Sequence, residues 1–171
     1  MREVGIIIGS LKRFDIEPVE VVPELDYILA ELAETSGMPP SDTLLHYAFW
    51  NPQGSRIRTY TGTTDEKELI ESVRMAMPTL EKSILELQTL QQISPLDSNY
   101  GAICIKAREN FQDMIKGILH ARNHVSPLFF AKELRLYFDP IQLYGKIFLG
   151  PGAVEMPVFV FDHILWSNDT Q

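Results

Sequence analysis

The sequence predicts an all-α fold in which a single helical domain covers residues 23–171. Apolar residues recur at helical spacing over two long stretches, from about residue 64 to 91 and from about 103 to 124. Residues that commonly begin or end helices flank these stretches. Strand-like patterns are confined to residues 1–22, which we expect to form an N-terminal arm or short strands.

The N-terminal segment contains two apolar runs, V-G-I-I-I-G and V-E-V-V. The first run predicts a short strand or an extended arm, and its pattern does not separate the two. No G-x-G-x-x-G motif follows it, so a dinucleotide-binding fold gains no support.

Two helices are predicted before the long ones. Pro23 begins the first, whose apolar face consists of Leu25, Ile28, Leu29 and Leu32. Gly37 ends it, because glycine readily adopts the left-handed conformation found just after helices. Ser41 caps a short second helix, which Asn51-Pro52 ends.

The two long helices carry the clearest periodicity. Thr63 and Glu66 have the spacing of a capping box, which predicts a helix start at this point. Pro78 interrupts the apolar pattern, but the pattern resumes in phase, which favours a kink over a break. The following helix runs to about His124 and has these apolar residues: Ile103, Ala107, Phe111, Met114, Ile115 and Ile118.

A further helix is predicted after residue 125. Ser126 suits the N-cap position and Pro127 the first helical position, where the missing N–H of proline costs nothing. Asp139-Pro140 ends the helix. One apolar stripe runs along it: Phe130, Leu134 and Phe138.

A short apolar helix from about Pro157 to Trp166 follows a segment that contains two glycines, Gly150–Ala153. Asp162 interrupts this helix, and an acid inside an apolar run should have a partner. We expect one buried cluster to hold the bundle together: Phe111, Ile115, Phe130, Leu134, Phe159 and Phe161.

Composition excludes several classes of protein. The net charge of −8 has no basic run beside it, which argues against nucleic-acid binding. No apolar stretch reaches the length of a membrane span. The single cysteine, Cys104, excludes an internal disulfide and fits a reducing compartment. We therefore expect a cytoplasmic protein.

The last third of the chain carries a family resemblance. The segment H-V-S-P-L-F-F-A-K-E-L-R-L-Y follows two long helices and precedes a glycine-containing turn and F-D-H-I-L-W. This order resembles the large helical domain of the indoleamine 2,3-dioxygenase-like haem proteins. Within that superfamily the chain is similar to the branch that rearranges a chlorinated tryptophan during pyrrolnitrin biosynthesis. The resemblance spans roughly residues 25–166.

The resemblance implies a haem-dependent oxidoreductase, or part of one, that acts on tryptophan or a related indole amino acid. Phe130 matches the aromatic residue that stacks on the indole, and Arg135 matches the arginine that pairs with the carboxylate. A guanidinium fork fits a carboxylate, and phenylalanine packs against an indole face. The resemblance also implies substrate contacts by Gly152 and Ala153 and by Ser72 of the distal segment.

Haem b is the cofactor that the resemblance implies. Gly150 matches the segment that lies against the haem, and Asp162 matches an aspartate that helps to anchor it. In the family, a histidine on a helix well beyond the F-D pair holds the iron, whereas this sequence stops nine residues after Asp162. If haem binds, His163 or a histidine from a second chain has to hold the iron.

Three hypotheses therefore stay open. The chain is a fragment or split product of a haem enzyme, or another polypeptide completes its site, or haem binding has been lost. The alternatives to a haem enzyme, or part of one, are a non-catalytic module that binds haem or another small ligand and a helical subunit that needs a partner chain to complete the site. The apolar face of the helix that ends at Trp166 predicts a homo-oligomer or a complex with a second polypeptide.

Overall fold

The computed structural model describes residues 2–151 and 157–166. Within these ranges the chain forms seven α-helices: α1 (Arg2–Lys12), α2 (Pro18–Val21), α3 (Glu24–Ser36), α4 (Thr64–Gln92), α5 (Tyr100–His124), α6 (Pro127–Lys132) and α7 (Pro157–Trp166). A two-stranded antiparallel sheet consists of β1 (Ile141–Leu143) and β2 (Lys146–Phe148). The predicted all-α class is confirmed. Every helix in the described ranges is too short or too polar to span a bilayer.

The chain divides into two compact units. The first consists of Met1–Ile70 and His124–Glu155, and the second of Glu71–Asn123 and Met156–Gln171. The division that the sequence suggested, at residue 22, stays a prediction.

The secondary structure predicted for the N-terminal segment is wrong. In its described part, residues 2–12 and 18–21 form α1 and α2 rather than an arm or strands. Two glycines let α1 pack closely in the first unit. A Cβ atom on Gly5 would lie 2.6 Å from Cγ of Asp42, and one on Gly9 would lie 2.6 Å from Cε1 of Tyr60. This tertiary packing outweighs the strand preference of the isoleucine run.

The core of the first unit joins helices to the hairpin. Ile8 of α1, Leu29 of α3, and Ile141 and Leu143 of β1 form one buried cluster. The strands were not predicted, because three residues are too few to show a period of two. A two-residue turn, Tyr144-Gly145, connects them, and both residues have positive φ, as a type I′ turn requires.

The second unit consists of the larger part of α4 together with α5 and α7. Helix α4 continues past Pro78 without a break. The side chain of Ser83 on α4 donates a hydrogen bond to the carbonyl oxygen of Ala107 on α5 at 2.8 Å. Gly117 allows close approach of α5 to α4, because a Cβ atom there would lie 2.5 Å from the carbonyl oxygen of Ser72.

The expected cluster of six apolar residues does not form. Of the six, only Leu134 is fully buried, whereas Phe159 is 67% exposed and Ile115 is 40% exposed. Phe111 and Phe161 stack on each other within the second unit, with ring centroids 4.2 Å apart. Leu134 and Phe130 belong to the first unit. Helical spacing predicted an apolar face for each helix but not what that face packs against.

Candidate functional site

A cavity of about 310 Å³ in the first unit contains several of the predicted site residues. We call it the Arg135 cavity. Phe130 lies on α6, and Arg135 and Phe138 lie in or next to a 3₁₀ turn, Leu134–Tyr137. Its described lining is Phe130, Arg135, Phe138, Asp139, Pro140, Leu149 and Gly150.

Local sequence explains how Phe130 and Arg135 come to share this cavity. Ser126 caps α6 as predicted, and its Oγ accepts a hydrogen bond from the backbone N–H of Phe129 at 3.3 Å. The predicted single helix instead ends at Lys132, and the 3₁₀ turn begins two residues later. Leu134 is fully buried in that turn and anchors it, which leaves Arg135 exposed. The guanidinium group is therefore free to meet a ligand.

Gly150 forms one wall of the cavity by close backbone approach. A Cβ atom at this position would lie 2.6 Å from the carbonyl carbon of Phe138 and would overlap the carbonyl oxygen. Only glycine fits here without moving the backbone. The rings of Phe130 and Phe138 meet edge to face, with centroids 6.5 Å apart. The cavity thus combines aromatic walls with a guanidinium and, on Asp139, a carboxylate.

A buried ion pair lies next to this cavity. Arg2 of α1 pairs with Asp42, and its guanidinium lies over the ring of Tyr60 at 4.8 Å and that of Tyr47 at 4.9 Å. Tyr60 in turn stacks on Tyr137, with centroids 4.8 Å apart. Arg2 and Asp42 are 40 positions apart, and no local pattern in the sequence joins them.

A second, much smaller space of about 20 Å³ adjoins the ion pair and shares Asp139, Leu149 and Gly150 with the Arg135 cavity. Ser41 Oγ and Asp42 Oδ1 are buried and make no hydrogen bond within the described residues. Both residues line the small space. Its volume is enough for one water molecule, which would satisfy these two atoms.

Burial shifts several pKa values in this region. It raises the pKa of Asp42 to about 6, against the attraction of Arg2. It also raises the pKa of the Tyr47 and Tyr60 phenols well above their usual value, so both stay protonated at neutral pH. Burial lowers the pKa of His46, whose Nδ1 lies 2.8 Å from Thr43 Oγ1.

The Asp42 shift predicts a pH dependence of stability. The folded chain holds a proton on Asp42 up to a pH of about 6, whereas the ordinary pKa of the unfolded chain is 3.8. The free energy of unfolding should therefore fall as the pH rises from about 4 to about 6, and this contribution should be constant above that range.

Urea unfolding at a series of pH values tests this prediction in the protein and in an Asp42→Asn variant. Asparagine carries no charge, so the variant should lose the decline between pH 4 and 6 even if it is less stable throughout. A decline of the same size in the variant would show that other groups cause it.

The family of the chain follows from comparison with known proteins. The sequence model of the family described as monodechloroaminopyrrolnitrin synthase PrnB matches residues 1–171, the whole chain. The chain belongs to this family. The resemblance to the pyrrolnitrin branch, drawn above from the last third of the chain, is thereby confirmed.

Among the described residues, three further positions that the family resemblance implied belong to the second unit and not to the first. Ser72 is buried on α4, and Asp162 and His163 are exposed on α7. Asp162 has the partner that its position called for, since its Oδ1 accepts a hydrogen bond from Nε1 of Trp166 at 3.0 Å. Gly152 and Ala153 lie outside the described residues, and the roles of all five stay predictions.

Haem binding in the Arg135 cavity would require a side chain that can hold the iron. Histidine, cysteine, methionine and tyrosine side chains hold haem iron in proteins. None of these occurs among the described residues that line the cavity. Nor do three His, Cys, Asp or Glu side chains converge as a metal site within residues 2–151 and 157–166. The described lining therefore offers no ligand for haem iron.

Proposed function

We propose that the Arg135 cavity binds tryptophan or a related indole amino acid as the substrate of an oxidoreductase. One observation carries this proposal: Phe130, Arg135 and Gly150, three positions that the family resemblance singled out, line the same cavity. They come from α6, from the 3₁₀ turn and from the residues after β2. A volume of about 310 Å³ is within the range of small-molecule sites.

The carboxylate of the amino acid would pair with Arg135. A guanidinium offers two parallel N–H donors that match the two carboxylate oxygens. Arg135 forms no ion pair within the described residues, so no protein carboxylate has to be displaced. Asp139 lines the same cavity and supplies the opposite charge for the ammonium group. The two residues together favour a zwitterion over a simple acid or amine.

The indole ring would pack against the aromatic walls. Phe130 and Phe138 already meet edge to face, an arrangement that extends favourably to a third ring. Gly150 adds a part of the lining that carries no side chain. This assignment covers binding and orientation of the substrate.

Haem-dependent oxygenase chemistry is the activity that the family resemblance implies. The described lining of the Arg135 cavity offers no side chain that would hold the iron, so we assign no reaction step to these residues. Ligation of haem b by His163, and anchoring by Gly150 and Asp162, stay predictions.

Association with a second copy or another polypeptide also belongs to this proposal. Phe159 and Trp166 on α7 are 67% and 66% exposed, which supports a contact surface on that helix. We further propose a cytoplasmic location, which the single free cysteine supports because it fits a reducing compartment.

An Arg135→Gln variant tests the binding assignment. Isothermal titration with L-tryptophan should show affinity weakened by about tenfold, which is the value of roughly one charge-assisted hydrogen bond at an exposed site. Tryptamine lacks the carboxylate, so the substitution should leave its weaker binding unchanged.

The matched control is Arg122→Gln, which removes an exposed guanidinium from the second unit. It should bind L-tryptophan as the unmodified protein does. Equal affinity of the Arg135→Gln variant and the unmodified protein for L-tryptophan would refute the proposed role of Arg135.

A further inference from the structure

The second unit contains a larger cavity, of about 490 Å³. We call it the Arg108 cavity. Helix α4 contributes two leucines and Gln91 to its lining, α5 contributes Tyr100, Cys104 and Arg108, and α7 contributes Ile164 and Leu165. None of the family positions that the structure describes is among the residues lining this cavity. Its volume lies within the range of small-molecule sites.

Most of the lining of the Arg108 cavity is apolar and part of it is aromatic. Phe111 of α5 and Phe161 of α7 both line it and stack with centroids 4.2 Å apart and an angle of 14° between the rings. Gln91 is engaged, because its Nε2 donates to the carbonyl oxygen of Ile164 at 3.4 Å. The apolar part of a small molecule could therefore pack against apolar and aromatic side chains from three helices.

The described lining of the Arg108 cavity carries only positive charge. Arg108 is the only charged residue of that described lining, which includes no aspartate or glutamate. Arg108 makes no ion pair within the described residues, although nearby Lys106 pairs with Glu86 at 2.7 Å. In a chain of net charge −8, an apolar cavity with an available guanidinium and no acid selects for an anion.

We propose that the Arg108 cavity binds a small organic carboxylate with an apolar body. The carboxylate pairs with the guanidinium of Arg108 in a two-pronged hydrogen bond. The apolar body lies against the aliphatic side chains and the Phe111–Phe161 pair. This ligand differs from the proposed substrate because the described part of the lining has no carboxylate to receive an ammonium group.

Cys104 supplies a direct readout of occupancy, because it is the only cysteine of the chain and lines this cavity. The probe is 1-naphthaleneacetate, and its neutral counterpart is 1-naphthaleneacetamide. The rate of Cys104 alkylation by iodoacetamide is followed by mass spectrometry of the full chain. Saturating naphthaleneacetate should slow alkylation several-fold, and titration of the rate should give its affinity.

An Arg108→Gln variant should bind naphthaleneacetate about tenfold more weakly, as expected for loss of one charge-assisted pair. Its affinity for the amide should be unchanged. Arg108 is exposed, so we expect the variant to fold, and an unchanged helical circular dichroism spectrum checks this.

In the control variant Arg135→Gln, naphthaleneacetate should slow the alkylation of Cys104 as much as it does in the unmodified protein. The inference is therefore tested separately from tryptophan binding in the Arg135 cavity. Two results would overturn it: no protection of Cys104 by the acid, or equal affinities for acid and amide that Arg108→Gln leaves unchanged.

Discussion

A Gly150→Ala variant is expected to be less stable than the unmodified protein by about 3 kcal/mol, the upper part of the range for overpacking. The new methyl carbon would lie 2.6 Å from the carbonyl carbon of Phe138 and nearer still to its oxygen. Those atoms belong to the backbone and have no rotamer into which to move. To relieve this overlap, the residues after β2 have to move away from the 3₁₀ turn that carries Arg135.

Urea unfolding followed by circular dichroism measures this loss. The matched control is Gly101→Ala on α5, where an added Cβ atom meets nothing within 4 Å. Alanine is the better helix former, so the control should be neutral or slightly more stable. Because Gly150 lines the Arg135 cavity, Gly150→Ala should also weaken L-tryptophan binding. Equal urea midpoints for the two variants would contradict the close approach.

The parts of the fold that the sequence predicted are those with local causes. Ser126 and Pro127 mark the start of α6, and Gly37 has the left-handed φ expected at the end of α3. Helix α1 shows the limit of such signals. Its isoleucine run favours a strand locally, but the ion pair of Arg2 with Asp42 and the close packing of Gly5 and Gly9 are long-range contacts. No window of adjacent residues contains them.

The candidate site likewise combines features that local sequence predicts with features that depend on long-range packing. Phe130 and Arg135 are five residues apart, and this short spacing is enough to bring them to one cavity even though the helix breaks between them. The buried ion pair beside the cavity depends on the packing of α1, so its participants were not predicted. The Arg108 cavity depends on how three helices pack. Periodicity predicts an apolar face on each of those helices but not the space that they enclose.

Glu66 takes part in the start of helix α4 and also holds the preceding loop in place. Its spacing from Thr63 correctly predicted the start of α4, and its backbone N–H donates to Thr63 Oγ1 at 3.3 Å. The carboxylate, however, is fully buried and reaches the preceding loop instead. It accepts hydrogen bonds at 2.7 Å from the backbone N–H groups of Tyr60 and Thr61 and from Thr61 Oγ1. Glu66 thereby fixes the segment that carries Tyr60 against Arg2.

A Glu66→Ala variant should therefore lose about 3 kcal/mol or more of stability, because these three donors and the Tyr47 hydroxyl, which donates to Glu66 Oε1 at 3.4 Å, lose their acceptor. Each buried group left unsatisfied costs roughly 1–3 kcal/mol. Glu66→Gln keeps one oxygen and the shape of the side chain, so its loss should be smaller. The control Glu71→Ala removes a 53% exposed carboxylate that lies 3.9 Å from Arg74, and it should cost less than about 1 kcal/mol. The midpoints of urea unfolding compare the stability of the three variants. A Glu66→Ala protein no less stable than Glu71→Ala would show that the loop holds its position without this carboxylate.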